Sequence, residues 1–178
     1  PAHYLSPDCR VDFTTLSVEE VGLDRVRVTG ARGARPTNTY KVSATYRDGY
    51  WAHGLLTVFG RDAVEKARRG GEIVLERLRR AGFEYARSNI ECIGANACVP
   101  GVLDAPPLLE TVLRISVADP RKEAVERFAK EIAPLVTSGP QGVTGYAAGR
   151  PSPRPMFSYW SCLIERDRVH VETRILDA

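Results

Sequence analysis

The 178-residue sequence lacks long hydrophobic runs, and no stretch approaches the roughly 20 apolar residues that a membrane helix needs. It also has little net charge, +3, and no recognised nucleic-acid-binding motif, so we expect no nucleic acid as a partner. Its first residues, Pro1-Ala-His-Tyr, do not resemble a secretory signal. We therefore expect a cytoplasmic protein with no membrane partner.

Metal-binding and nucleophile patterns are missing as well. The four cysteines form no Cys-x-x-Cys pair and the three histidines are scattered, so we expect no metal site. Free thiols are the default without a secretory signal, and Cys162, inside a predicted strand, is expected in the core. No Ser-His-Asp or Cys-His set is recognisable from spacing, so the catalytic residues are unknown.

What the sequence does contain is a clear order of strands and helices. Charged and β-branched residues alternate over residues 24–29, which predicts a strand that ends at a loop over residues 30–38. Two segments rich in β-formers, 40–46 and 50–59, flank Asp48-Gly49. Because both residues of this dipeptide tolerate positive φ, the pattern predicts a tight hairpin.

A helix and a further strand follow. Apolar residues at helical spacing over residues 61–80 predict an amphipathic helix, which Gly82 ends. A short strand is predicted at residues 89–93. The loop over residues 94–107 is the best candidate for an internal sub-boundary.

The second half repeats this order of strand, helix and strand. Its predicted elements are a strand at 109–117, a helix from Asp119-Pro120 to about Ala133, a glycine-rich loop at 138–149, and strands at 156–164 and 169–175. Short connections between neighbouring strands imply antiparallel pairing. The sequence therefore predicts one α+β domain over residues 1–178, a mainly antiparallel sheet with two principal helices packed on one face.

Two glycine-containing segments carry arginines and are candidates for binding an anion. Glycine lets backbone N–H groups approach a ligand, and arginine offers bidentate donors to carboxylate or phosphate. The second segment has neither P-loop nor Rossmann spacing. The alternatives are a solvated surface loop for the first segment and a mobile connector for the second. The candidate ligand-binding residues are Gly30, Arg32, Gly33 and Arg35 in the first segment, and Ser138, Gly139, Gly142 and Arg150 in the second.

We hypothesise that these two segments converge on one small anionic substrate. His53 is a further candidate, since a histidine oriented by a carboxylate can act as a general base, although a structural role is the alternative. Tyr46, Tyr50, Tyr159 and Trp160 are candidates to line a pocket, and the alternative is that they pack in the core or lie on the sheet surface.

Several segments together follow the pattern of one known family. The strongest is Asp24-Arg-Val-Arg-Val-Thr-Gly-Ala-Arg-Gly, followed by Thr39-Tyr-Lys-Val-Ser and Tyr46-Arg-Asp-Gly-Tyr. The segments Thr137-Ser-Gly-Pro-Gln-Gly and Phe157-Ser-Tyr-Trp-Ser-Cys agree with it. On these residues nearly the whole chain resembles the C-terminal half of acyclic terpene utilisation (AtuA) family proteins.

The resemblance implies that a large N-terminal α/β domain, absent from this chain, is its partner as a domain or a separate subunit, and that the assembly is an oligomer. It implies a component of an enzyme of branched-acid or acyl-CoA catabolism. A lyase or hydratase step on an acyl-CoA or polycarboxylate is expected, with a CoA thioester as substrate and no cofactor identified. The alternative is a non-catalytic docking subunit that completes a separate α/β catalytic domain.

Overall fold

The computed structural model describes residues 2–102 and 107–176. Pro1 and part of the predicted sub-boundary at residues 94–107 lie outside the described residues. The α-helices are α1 Ala63–Arg80, α2 Lys122–Glu131 and α3 Ala133–Ser138. The strands are β1 His3–Leu5, β2 Arg10–Asp12, β3 Ser17–Gly22, β4 Arg25–Thr29, β5 Arg32–Ala34, β6 Thr39–Phe59, β7 Arg87–Ile93, β8 Glu110–Asp119, β9 Val143–Tyr146 and β10 Arg154–Glu165.

The chain divides into two compact units. The first comprises Pro1–Tyr46 and Tyr159–Ala178, and the second comprises Arg47–Ser158. In the first unit, β1, β2 and β5 form a three-stranded sheet, and β3 pairs with β4 in a separate two-stranded sheet. The predicted strand over residues 24–29 is confirmed as β4, but the predicted loop over residues 30–38 contains β5 because this segment pairs antiparallel with β2.

The predicted hairpin at Asp48-Gly49 is wrong. The whole stretch Thr39–Phe59 is one strand, β6, which passes through the dipeptide. From Tyr50 onward β6 pairs with β8 in a long antiparallel ladder, and these backbone hydrogen bonds outweigh the local turn preference. Gly49 still has a positive φ of 95°. Glycine is also required there because a Cβ would lie 2.7 Å from the carbonyl oxygen of Asp119.

The sheet of the second unit has the strand order β10-β6-β8-β7, and β9 also pairs with β6. The pairs β6–β8, β7–β8 and β6–β9 are antiparallel. These pairings, with the α-helices that accompany them, confirm the predicted α+β class.

The core of the second unit lies between this sheet and the helices. Alternate residues of β8, including Leu113 and Ile115, are buried with Leu78 of α1 and Phe128 of α2. The predicted amphipathic helix is confirmed as α1, which ends before Gly82. Packing of both principal helices on one face of the sheet stays a prediction.

The second principal helix begins later than predicted. Asp119 is the last residue of β8 and does not cap the helix. Its carboxylate instead accepts hydrogen bonds from the backbone N–H and the Nε of Arg121, at 2.9 and 2.8 Å. Arg121 is the N-cap residue, because α2 begins at Lys122. The helix α2 ends at Glu131, and Pro134 lies in the first turn of α3, where a missing N–H costs nothing.

Three predictions for the C-terminal region also need correction. The predicted glycine-rich loop over residues 138–149 contains β9, which pairs with β6. The strand predicted at 156–164 is confirmed as β10, but a 3-10 turn at Arg166–Arg168 follows it and residues 169–175 form no strand. Cys162 is exposed, not in the core, because β10 leaves side chains of both alternating faces accessible here, as the exposed Tyr159 and Trp160 show.

Candidate functional site

The first predicted segment lies in the first unit, where Gly30 serves packing. Gly30 has a φ of 87°, and a Cβ there would lie 2.2 Å from the carbonyl oxygen of Thr15. The hydroxyl of Thr15 donates a 2.6 Å hydrogen bond to the carbonyl oxygen of Gly30. Only glycine permits this approach together with a positive φ, so its presence needs no ligand.

The two arginines of this segment remain exposed. Arg32 and Gly33 lie in β5, and Arg32 is directly opposite Asp12 of β2. The carboxylate of Asp12 accepts hydrogen bonds from the hydroxyl and N–H of Thr14, and these lower its pKa. Within the described residues, no side-chain hydrogen bond or ion pair involves Arg32 or Arg35, so both guanidinium groups are available to an anion.

The second predicted segment lies in the second unit, and much of its backbone is already used. Ser138 ends α3, and the N–H of Gly139 donates to Leu135 at 3.1 Å. The carbonyl oxygen of Gly142 accepts a 2.9 Å hydrogen bond from the N–H of Phe59. These groups hold the segment against its own unit. Convergence of the two segments on one ligand stays a prediction.

Lys66 of α1 fixes the same turn from the other side. Its ammonium group donates to the carbonyl oxygens of Phe59 and Gln141, at 3.1 and 2.8 Å. Gly142 has a φ of 103°, and a Cβ there would lie 2.1 Å from the carbonyl oxygen of Phe59. The turn therefore presents carbonyl oxygens to a cation, the opposite of an anion-binding nest of N–H groups.

Arg150 is the predicted site residue that lies in a cavity. It lines a narrow cleft of about 40 Å³, which we call the Arg150 cleft, together with Trp51, His53 and Arg154. The rings of Trp51 and His53 lie 5.2 Å apart, and the guanidinium of Arg154 lies 6.0 Å from the Trp51 ring. No acidic residue lines this cleft, so its electrostatic character is cationic.

A wider groove of about 470 Å³ adjoins the cleft, because Arg150 and Pro151 line both. We call it the Arg150 groove; Lys130 and Tyr146 also line it. The Tyr146 hydroxyl is buried and has no hydrogen-bond partner among the described residues. Burying an unpaired hydroxyl costs free energy, so this atom is suited to a hydrogen bond with a bound molecule or an ordered water.

The local fold explains why Arg150 is placed here. Trp51 and His53 alternate along β6 with the buried Ala52 and with Gly54, so they lie on the sheet face away from the core. A Cβ at Gly54 would lie 2.1 Å from Cδ1 of Ile132 and 3.2 Å from Cγ of Pro151. Glycine at this position therefore lets Pro151, the neighbour of Arg150, pack directly on the strand.

One protein-family model matches this chain along nearly its whole length. A family model described as acyclic terpene utilisation family protein AtuA matches residues 1–175. The chain belongs to the AtuA family. No curated protein and no solved structure was found that matches it. Membership associates the chain with acyclic terpene utilisation.

Apart from Asp12, the acidic residues of this AtuA-family chain that have shifted pKa values are paired with arginines. Hydrogen bonds from Arg121 lower the pKa of Asp119, and hydrogen bonds from Arg114 lower that of Glu91. A lowered pKa makes a carboxylate a weaker base, which suits a structural role better than proton abstraction. In residues 2–102 and 107–176, no group of three His, Cys, Asp or Glu side chains is arranged to hold a metal ion.

No helix in the described part of the AtuA-family chain is both long enough and apolar enough to span a bilayer.

Sequence reasoning missed four residues of the cleft and groove as binding residues: Trp51, Lys130, Tyr146 and Arg154. Trp51 was detectable, because strict alternation along β6 places it on the same face as His53. Lys130 and Tyr146 carry no local pattern that links them to Arg150. Only the packing of α2 and β9 in the AtuA-family fold brings them to one groove.

Proposed function

We propose that this chain is a component of an enzyme of branched-acid or acyl-CoA catabolism, and that it binds the anionic part of the substrate at the Arg150 cleft and groove. The observation that carries the proposal is a set of cations without acidic partners. Among the described residues, Arg150, Arg154 and Lys130 form no ion pair. Glu126, the acidic residue of the groove, lies 3.3 Å from Lys122, which offsets its charge.

This arrangement suits a carboxylate or a thioester whose oxygen gains negative charge during reaction. Arg150 offers paired donors to two oxygens, and the Tyr146 hydroxyl offers a further donor. Fixed cations beside a thioester oxygen stabilise an enolate, the intermediate of lyase and hydratase steps at the adjacent carbon. We propose that the remaining catalytic groups come from an N-terminal α/β domain or subunit in an oligomeric assembly in the cytoplasm.

Calorimetric titration of the 178-residue chain with isovaleryl-CoA and with isovalerate tests the binding site. Loss of a charged hydrogen-bond donor costs about 1.5–3 kcal/mol, so Arg150→Ala is expected to weaken both ligands roughly ten- to hundredfold. The matched control is Arg61→Ala, which removes the same charge from an exposed position of the same unit. Equal affinities of wild type, Arg150→Ala and Lys130→Ala would overturn the proposal.

Arg32 and Arg35 are proposed to bind an anionic group within the first unit. The double variant Arg32→Ala/Arg35→Ala tests this with the same titration. A loss of affinity for isovaleryl-CoA with retained affinity for isovalerate is expected if these residues contact the CoA phosphates. Unchanged affinity for both compounds contradicts their participation and leaves the Arg150 site standing.

A docking subunit without catalytic groups is the second candidate. The observation that favours it is the exposure of large apolar side chains on both faces of β10 in the first unit: Tyr159 and Leu163 on one face and Trp160 on the other. Exposed apolar surface of this kind is typical of interaction surfaces. Co-expression with a family α/β domain tests it: Tyr159→Ser/Trp160→Ser should abolish co-purification, whereas Arg150→Ala should not. Co-purification unaffected by the double substitution would contradict this candidate.

A further inference from the structure

A third cavity lies on the sheet face of the second unit that carries Trp51. Its volume is about 550 Å³, within the range of small-molecule sites. We call it the Trp51 cavity; it is lined by Trp51, Asn89, Ser116, Ala118 and Met156, among others, and its surface is mainly apolar. No predicted site residue lines it.

The Trp51 cavity adjoins the Arg150 cleft, because Trp51 lines both. The arginine at the cavity's edge, Arg87, is already engaged. It lies 3.3 Å from the carboxylate of Asp48 and 3.2 Å from the Met156 sulfur. The Asp48 carboxylate also accepts a hydrogen bond from Ser158 at 2.5 Å. The charge of Arg87 in the cavity is thus compensated, whereas the Arg150 cleft is cationic.

A cationic cleft joined to an apolar cavity is complementary to an amphipathic molecule. We infer that the Trp51 cavity binds the aliphatic chain of a medium-chain carboxylate, or of its thioester, whose anionic end lies in the Arg150 cleft. This rests on the proposed function and adds the location of the chain. The Arg150 groove is less suited to an alkyl chain because the charged residues Lys130 and Glu126 line it.

Two residues are expected to set the chain length that the cavity accepts. Ser116 of β8 is a small residue in its lining, and Met156 of β10 is a flexible one. A larger side chain at position 116 fills the space that the alkyl chain would occupy. The effect of chain length on affinity therefore reports on the Trp51 cavity, and the affinity of the shortest acid reports on the Arg150 cleft.

Titration of the full chain with acetate, hexanoate and decanoate separates the two. Burial of each methylene is worth up to about 0.8 kcal/mol, so the affinity of the wild type should rise roughly two- to fourfold per methylene. Ser116→Phe should flatten this rise and leave acetate unchanged, whereas Arg150→Ala should weaken all three acids by a similar factor. The matched control is Thr57→Phe, which adds the same ring on β6 outside the cavity.

Fluorescence gives a second measurement that does not depend on the folding of Ser116→Phe. The chain has two tryptophans, so Trp160→Phe leaves Trp51 as the reporter. Decanoate should shift the Trp51 emission to the blue and acetate should not. A chain-length dependence that Ser116→Phe leaves unchanged, or decanoate binding without a Trp51 response, overturns the inference while the anion site stands. If Arg150→Ala leaves the affinity for acetate unchanged, the proposed function is overturned instead.

Discussion

Arg77 of α1 donates a hydrogen bond from Nε to Oε1 of Glu131 in α2 across 2.5 Å, and Glu131 is only 3% exposed. Arg127 approaches the other carboxylate oxygen at 2.6 Å. Burial by itself raises the pKa of Glu131, but the hydrogen bond from Arg77 and the charge of Arg127 outweigh it and hold the pKa below its ordinary value. One buried carboxylate therefore links the two principal helices.

Removing this carboxylate should destabilise the second unit. Glu131→Ala leaves two arginines close together without their shared acid, and because Arg77 is partly exposed we expect a loss of about 2 kcal/mol, below the value for a fully buried pair. Urea denaturation measures the free energy of unfolding. The control Glu126→Ala removes an exposed pair with Lys122 and should cost less than about 1 kcal/mol. Equal losses would contradict the link.

The same group predicts how stability depends on pH. The pKa of Glu131 is lower in the folded than in the unfolded chain, as are those of Asp119 and Glu91. The unfolded state binds more protons, so this stabilisation is complete above the unfolded pKa values and is lost as the pH falls below about 5. Denaturation at a series of pH values should show this fall, and Glu131→Gln should make it shallower. If the stability of Glu131→Gln fell with pH as steeply as that of the wild type, a contribution from Glu131 would be ruled out.

Gly54 should be sensitive to a single methyl group. Gly54→Ala places a Cβ 2.1 Å from Cδ1 of the fully buried Ile132, and overpacking of this kind costs about 1–3 kcal/mol. Because the same Cβ approaches Pro151, the affinity for isovalerate should fall too. Combining Gly54→Ala with Ile132→Val should restore part of the stability. Gly145→Ala is the control, since a Cβ at position 145 meets no other atom within 4 Å.

The hydroxyl of Tyr146 should have opposite effects on stability and binding. Tyr146→Phe removes a buried group without a partner, so the ligand-free protein should gain up to about 1 kcal/mol while the affinity for isovalerate decreases. Tyr85→Phe is the matched comparison. The hydroxyl of Tyr85 donates a 2.8 Å hydrogen bond to Ala124, and burial raises its pKa to about 12. We expect that variant to lose about 1 kcal/mol and keep its affinity.

Thermal denaturation of the two tyrosine variants, with and without isovalerate, tests the predicted direction of both the stability change and the affinity change. Destabilisation by Tyr146→Phe in the absence of ligand would mean that the hydroxyl has a partner in solution. Unchanged affinity would remove Tyr146 from the site.

Periodicity along the sequence predicted elements that depend on local pattern. The amphipathic helix α1 was confirmed because its buried face follows from side-chain spacing. Strand β4 was confirmed as a strand, although all of its residues are exposed. Local pattern failed where a distant partner decides the conformation. Asp48-Gly49 has the composition of a turn, yet it lies within the continuous strand β6, directly before the ladder with β8 that begins at Tyr50. Aspartate commonly caps helices, yet the carboxylate of Asp119 accepts a hydrogen bond from the side chain of Arg121.

The candidate site was predictable only in part for the same reason. Arg150 was identified from its place beside a glycine-rich segment. Its neighbours Lys130 and Tyr146 lie on other elements, and only tertiary packing brings them to one groove. From the sequence we expected these glycines to expose backbone N–H groups to an anion. They instead have steric roles in the fold: Gly30 lies against Thr15, and Gly142 lies against Phe59.

The long ladder between β6 and β8 also has a consequence for the order of folding. Phe59 pairs with Glu110 and Tyr50 with Asp119, so the paired residues are 51 to 69 positions apart in the chain. The β7–β8 pairs are closer in sequence and pay less loop-closure entropy, so they are expected to form first. The β6 contacts form later, and substitutions at Trp51 or His53 should therefore accelerate unfolding more than they slow refolding.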